Sequence, residues 1–74
     1  MTIEEAFGKT LRELRKARNL SQEEVAFESG LDRSFISLLE CGHQQPSLVT
    51  IIQLAKTFRV SAAQLIADVE KNLS

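Results

Sequence analysis

One histidine (His43), one cysteine (Cys41), no carboxylates at metal-ligand spacing and no glycine-rich phosphate loop leave this chain without the inventory of an active site. The residues with chemistry to offer form a short run, Asp32-Arg33-Ser34-Phe35-Ile36-Ser37-Leu38. With Ile36 and Leu39 turned to a core, a helical step of about 100° sends Arg33, Ser34, Ser37, Leu38 and Cys41 away from it. The chemistry open to such side chains is hydrogen bonding and apolar contact of the kind used in recognition. An arginine fork can take guanine O6 and N7 together, at about 1–3 kcal/mol of discrimination between bases. Ser34 and Ser37 can bond a base or a phosphate, and an exposed Leu38 can touch a thymine methyl. Asp32 stands at the same end and is a good helix N-cap, since a carboxylate close to phosphates is otherwise costly. Cys41 reads as a reduced bystander thiol.

The elements that must position these residues are short. The chain has 74 residues and is 43% hydrophobic and 26% charged, which fits one globular domain and excludes intrinsic disorder. A lone cysteine closes no internal disulfide and no Cys/His cluster offers a metal site, so stability must come from well-formed helices or from an oligomer. No apolar run approaches the roughly 18 residues of a membrane span and no signal-type apolar region follows the start, so a cytoplasmic location is expected. A net charge of −1 argues against a nonspecific nucleic-acid coat but leaves room for a locally basic face. Four Phe with no Trp or Tyr make a single-strand stacking platform a poor fit.

Polar steps divide the chain into five short helices, an all-α bundle. The first runs from about Ile3 to Arg18, with Ile3, Phe7, Leu11 and Leu14 as an apolar stripe and Lys9, Arg12, Arg15, Lys16 and Arg18 crowding its second half. Asn19-Leu20 breaks it. The second opens on a capping box, Ser21 with Glu24, turns Val25 and Ala26 inward and ends at Ser29-Gly30. The third starts at Asp32, has Leu31 and Ile36 placed for a hydrophobic staple, and ends with Gly42 as C′ residue. Ser47, after Pro46, caps a fourth helix carrying Leu48, Ile51, Ile52, Leu54, Ala55 and Phe58. Ser61, with Gln64 completing a second box, opens a fifth carrying Leu65, Ile66 and Val69. Asn72-Leu73-Ser74 is expected to fray.

The second and third helices are separated by only Gly30-Leu31, the short glycine turn of a helix-turn-helix over residues 22–41. Ala26 permits close approach, and Val25, Leu31, Ile36 and Leu39 make the wedge that fixes the crossing. Here the chain resembles the lambda-repressor/Cro-like (XRE-type, Cro/C1-type) helix-turn-helix regulators. Leu20-Ser21-Gln22-Glu23-Glu24-Val25-Ala26 is similar to that family's second helix. Gly30 to Ser37 is similar to its turn and recognition helix, and Pro46-Ser47-Leu48 and Phe58-Arg59-Val60-Ser61 to its later punctuation. The resemblance covers about residues 5–67, within a single domain spanning 1–74. The Asp-Arg-Ser-Phe-Ile-Ser run is especially similar to restriction–modification controller proteins.

The resemblance implies a sequence-specific double-stranded DNA-binding transcriptional regulator, not an enzyme. Its recognition helix would enter the major groove of a pseudo-palindromic operator, with Arg33, Ser34, Ser37, Leu38 and Asp32 at the bases. Ser21 and Gln22 at the start of the second helix, and His43, Gln44 and Gln45 in the loop, become candidate phosphate contacts. The family places at Gln22 a residue that bonds phosphate or braces the recognition helix. Its loop is usually basic, whereas here only His43 can become a cation. Arg15 and Glu40 occupy the positions of an internal ion pair. Alternatives are a restriction–modification controller or antitoxin-type autoregulator, or an interaction module that kept the fold without binding DNA. RNA polymerase is a further candidate partner. No cofactor, metal or small-molecule ligand is expected. Surplus small and apolar surface at Ala62, Ala63, Ala67, Val69 and Leu73 predicts a homodimer through Phe58, Val60, Ala63, Ala67 and Val69. Such a dimer would read half-sites about 34–36 Å apart.

Overall fold

A computed structural model describes residues 1–74 as five helices: α1 (Ile3–Ala17), α2 (Gln22–Ser29), α3 (Arg33–Glu40), α4 (Leu48–Thr57) and α5 (Ala62–Leu73). Four of the five start on a hydroxyl. Thr2, Ser21, Ser47 and Ser61 each sit in extended backbone and accept from the amide three residues on. Thr2 with Glu5, and Ser21 with Glu24, bond reciprocally as capping boxes. Two expected caps differ. Asp32 has the extended backbone of a cap, but its side chain bonds no amide. Gln64 completes no box because its side-chain amide points down its own helix and donates to Asp68 Oδ1 at 3.0 Å.

The ends of α1, α3 and α4 share one device. The amides of Leu20, His43 and Val60 reach back to the carbonyls of Arg15, Leu38 and Ala55. The residue before each, Asn19, Gly42 and Arg59, takes the left-handed conformation. At the α2–α3 turn Gly30 does the same, with φ +77°.

All five segments feed one core of 12 buried hydrophobic residues. Phe58, Leu11, Ile36, Leu39, Leu54, Leu65 and Val25 are shut off from solvent. The Arg18 guanidinium lies 5.7 Å from the Phe58 ring centroid. Phe58 is therefore internal and fills this chain's own centre, out of a partner chain's reach, whereas Val69 is largely buried and shows only as part of the lining of an apolar groove. Ile3, expected in the core stripe, is 66% exposed, and α1 is buried only from Ala6 and Phe7 onward. Leu48 and Ile52 of α4 are exposed as well, and Ile3, Pro46, Ile51 and Ile66 line an apolar groove.

The C-terminal segment is tied down rather than frayed. Asn72 Nδ2 donates to Thr10 Oγ1 at 2.7 Å and to Glu13 Oε1 at 3.1 Å, and the buried Thr10 hydroxyl donates to the Ala6 carbonyl. Gly8 sets the α1–α3 contact. A Cβ there would stand 2.4 Å from the Leu39 carbonyl oxygen and 2.7 Å from that of Glu40, so only glycine lets the two backbones meet.

Candidate nucleic-acid interface

The second half of α3 is fastened to α1 and α2 through one side chain. Glu40 ends α3, and its carboxylate is almost wholly buried. Arg15 of α1 grips it with both arms of its fork, Nε to Oε2 at 2.7 Å and Nη2 to Oε1 at 3.0 Å. A further arm, Nη1, donates to the Leu20 carbonyl at 3.0 Å. Gln22 Nε2 of α2 donates to Glu40 Oε1 at 3.2 Å. Planar two-point pairing of this kind fixes orientation as well as distance. Burial alone would push the Glu40 carboxyl up, but the hydrogen bonds from Arg15 and Gln22 and the nearby cations outweigh it. The carboxyl ends below its ordinary value. The hydrogen bond from Arg15 to Glu40 raises the arginine in turn. Every buried side-chain polar atom in the molecule has a hydrogen-bond partner.

Arg12 belongs to this cluster too. Helical spacing from the sequence puts it on the solvent side, yet its Nε lies 3.6 Å from Glu40 Oε1 with the side chain half exposed. It is a weaker second cation on the same carboxylate.

The other end of α3 is bare. Arg33 and Ser34 lie in its first turn and are exposed, as is Asp32 before them. Both ion pairs of the molecule end on Glu40, so Arg33 has no carboxylate partner. Ser37 is half-buried one turn on, and Leu38 is 39% exposed. The expected reading set therefore faces outward, Ser37 least so.

The residues singled out for phosphate do not share one situation. Ser21 is exposed, with its hydroxyl oxygen occupied by the Glu24 amide. Gln22 is half-buried and braces Glu40. Beyond α3, His43 and the exposed Cys41 thiol line a polar cleft against α1. Gln45 instead borders the apolar groove beside Pro46, with the exposed Gln44 between the two. Sequence reasoning missed Gly8. The signal was a glycine inside an otherwise strong helix, which usually has a packing reason.

An exposed, polar helix start carried on a rigid two-helix unit suits the major groove, which is wide enough for one helix. Fold and site together define a helix-turn-helix DNA-binding domain. The helix-turn-helix family model HTH_3 matches residues 11–65, and the chain belongs to that family. It is 40% identical over 67 residues to the Vibrio cholerae cryptic phage CTXphi transcriptional repressor RstR, a match that takes in 90% of this chain and 60% of RstR. The crystal structure of the restriction–modification controller C.AhdI from Aeromonas hydrophila superposes with a TM-score of 0.81 at 47% identity. That match covers 84% of this chain and 94% of C.AhdI. The controller C.Esp1396I, solved as a tetramer on its natural 35 base-pair operator, shares the fold with a TM-score of 0.89 at 20% identity. That match covers 99% of this chain and 96% of C.Esp1396I.

Proposed function

We propose that this chain is a transcriptional regulator that binds double-stranded DNA sequence-specifically, with α3 in the major groove. The observation that carries the reading is the contrast along α3. Its carboxyl end is locked by Arg15 and Gln22 on Glu40, while Arg33 at its amino end is exposed and has no acidic partner. Arg33 is the principal base reader. Ser34, Ser37 and Leu38 add contacts, and Asp32 sets the helix start. Ser21, Gln22, His43, Gln44 and Gln45 flank the phosphates.

The chain acts as a homodimer on a pseudo-palindromic operator. Of the surface first expected for the dimer, Val60, Ala63 and Ala67 remain available, and the exposed apolar side chains Ile3, Leu48, Ile52 and Ile66 extend it. Control of a restriction–modification gene pair, including its own gene, is the biological role that the likeness to C.AhdI supports. The setting is the cytoplasm. A contact with RNA polymerase needs a surface clear of DNA and partner. The outer face of α2, where Phe27 is 88% exposed among Glu23, Glu24 and Glu28, is the surface we assign to it. No helix is long and apolar enough to cross a membrane.

The test is a gel shift and footprint on the DNA upstream of the chain's own gene. Protection of two related half-sites about one helical turn apart is expected. Absence of any shift on that DNA, together with capture of a protein partner through α3, would favour the interaction-module reading instead.

A further inference from the structure

From Cys41 to Ser47 the chain holds no lysine or arginine. A domain that grips DNA must neutralise phosphates somewhere, and the loop after α3 supplies only His43 for the purpose. The cleft that Cys41 and His43 line is closed on its far side by α1, through Lys9, Arg12 and Lys16. Their spacing of three and then four places them on one face of that helix. Three carboxylates also border the cleft, Glu5, Glu13 and Glu40. Each keeps its charge but accepts a hydrogen bond from outside the row Lys9, Arg12 and Lys16. Glu5 accepts from the Thr2 amide at 2.8 Å, Glu13 accepts from Asn72, and Glu40 is buried under Arg15. Lys9 and Lys16 are exposed and take part in neither of the molecule's two ion pairs. Arg12 approaches Glu40 only at 3.6 Å and keeps half its side chain in solvent. Three cations and three carboxylates line the cleft, and Arg15 behind it is spent on Glu40, the one carboxylate of the three that is buried. The cations open to an outside anion, Lys9 and Lys16 with the half-exposed Arg12, thus lie along one face of α1 beside the carboxyl end of the recognition helix.

We infer that this cleft seats the DNA sugar–phosphate backbone, and that Lys9, Arg12 and Lys16 of α1 supply the sequence-independent grip that the loop lacks. The inference rests on the DNA-binding reading and adds a binding surface to it. The contact is through charge alone, so it strengthens all sequences equally and leaves base choice to Arg33.

The experiment uses the full chain, with Lys9→Gln combined with Lys16→Gln, and a mixed-sequence DNA duplex as probe. Binding is followed by fluorescence anisotropy across a potassium chloride series that starts at low salt. Arg12 is left in place because it touches Glu40. The slope of log affinity against log salt falls by about 0.9 for every phosphate that is no longer neutralised, so the double variant should fall short of the parent by about 1.8. Lys56→Gln combined with Lys71→Gln, which removes the same charge outside the cleft, should keep the parent slope. Circular dichroism melts that match the parent show that both variants are folded. An unchanged slope in the Lys9/Lys16 variant overturns the inference, and so does an equal drop in the Lys56/Lys71 variant. A parent chain that binds no duplex at low salt overturns the DNA reading, and this inference with it.

Discussion

Replacing Gly8 by alanine sets two effects of known sign against each other. In an isolated helix the change helps, since alanine is favoured over glycine by about 1 kcal/mol at an interior position. Here the new Cβ would lie 2.4 Å from the Leu39 carbonyl oxygen and 2.7 Å from that of Glu40. Ordinary contact begins near 3.4 Å, so α1 and α3 must part by about 1 Å, the difference between 2.4 and 3.4 Å. The atoms met are backbone and cannot swing aside. Overpacking costs about 1–3 kcal/mol, and a rigid neighbour puts Gly8→Ala at the upper end, leaving a net loss of about 2 kcal/mol after the propensity gain. The same displacement draws Glu40 away from Arg15, whose bonds of 2.7 and 3.0 Å have little room to stretch. For a domain of this size a loss of about 2 kcal/mol lowers the melting temperature by about 8–16 °C. Thermal denaturation followed by circular dichroism reads it directly. A variant melting at or above the parent temperature would mean that helix propensity governs this position, and the close α1–α3 contact would be refuted.

Arg15→Ala removes the main partner of a buried carboxylate and should cost about 3 kcal/mol, the lower end for such pairs because Arg12 and Gln22 remain. Arg12→Ala, at a half-exposed site, should cost under about 1 kcal/mol, and equal melting temperatures for the two would contradict the ranking. Glu40 titrates below its ordinary 4.5 in the folded chain, so its contribution is complete above that value and is lost as pH falls through the lower folded one. Stability measured against pH below 4.5 should therefore fall less steeply in Glu40→Gln than in the parent. Arg33→Ala should bring specific and nonspecific affinity together by about 1–3 kcal/mol while leaving the fold intact. Gln22→Ala should weaken all sequences alike. Leu48→Glu with Ile52→Glu should yield a folded monomer in sedimentation. Phe58→Ala, which empties a buried site, should unfold the chain at lower temperature instead.

Much of this architecture is legible from local rules. Ser21, Ser47 and Ser61 announce helix starts because a hydroxyl before an apolar-periodic stretch has one obvious amide to accept from. Gly30 and Gly42 announce ends because few other residues take positive φ cheaply. The carboxylate at Glu40 and the arginine at Arg15 come together through a family resemblance; their separation of 25 residues is beyond any helical period. The misses lie where three-dimensional neighbours decide. Apolar periodicity cannot say that Ile3 overhangs the core while Phe58 and Val69 plug it. Charge periodicity cannot say that Arg12 leans onto a carboxylate from another helix. The Asn72–Thr10 bond joins residues 62 apart and has no local signature at all. Gly8 looks like a weakness in α1 until α3 is laid across it.

We propose that α3, held by Glu40, reads DNA sequence through Arg33. Selection from a pool of randomised duplexes tests it most directly, run in parallel with the parent chain and with Arg33→Ala. The parent should enrich a two-fold symmetric site with half-sites about 34–36 Å apart and a guanine at one position of each half. Arg33→Ala should lose the preference at that position and keep the symmetry. A parent that enriches no site, or a variant that enriches the same guanine as the parent, would contradict base reading through Arg33.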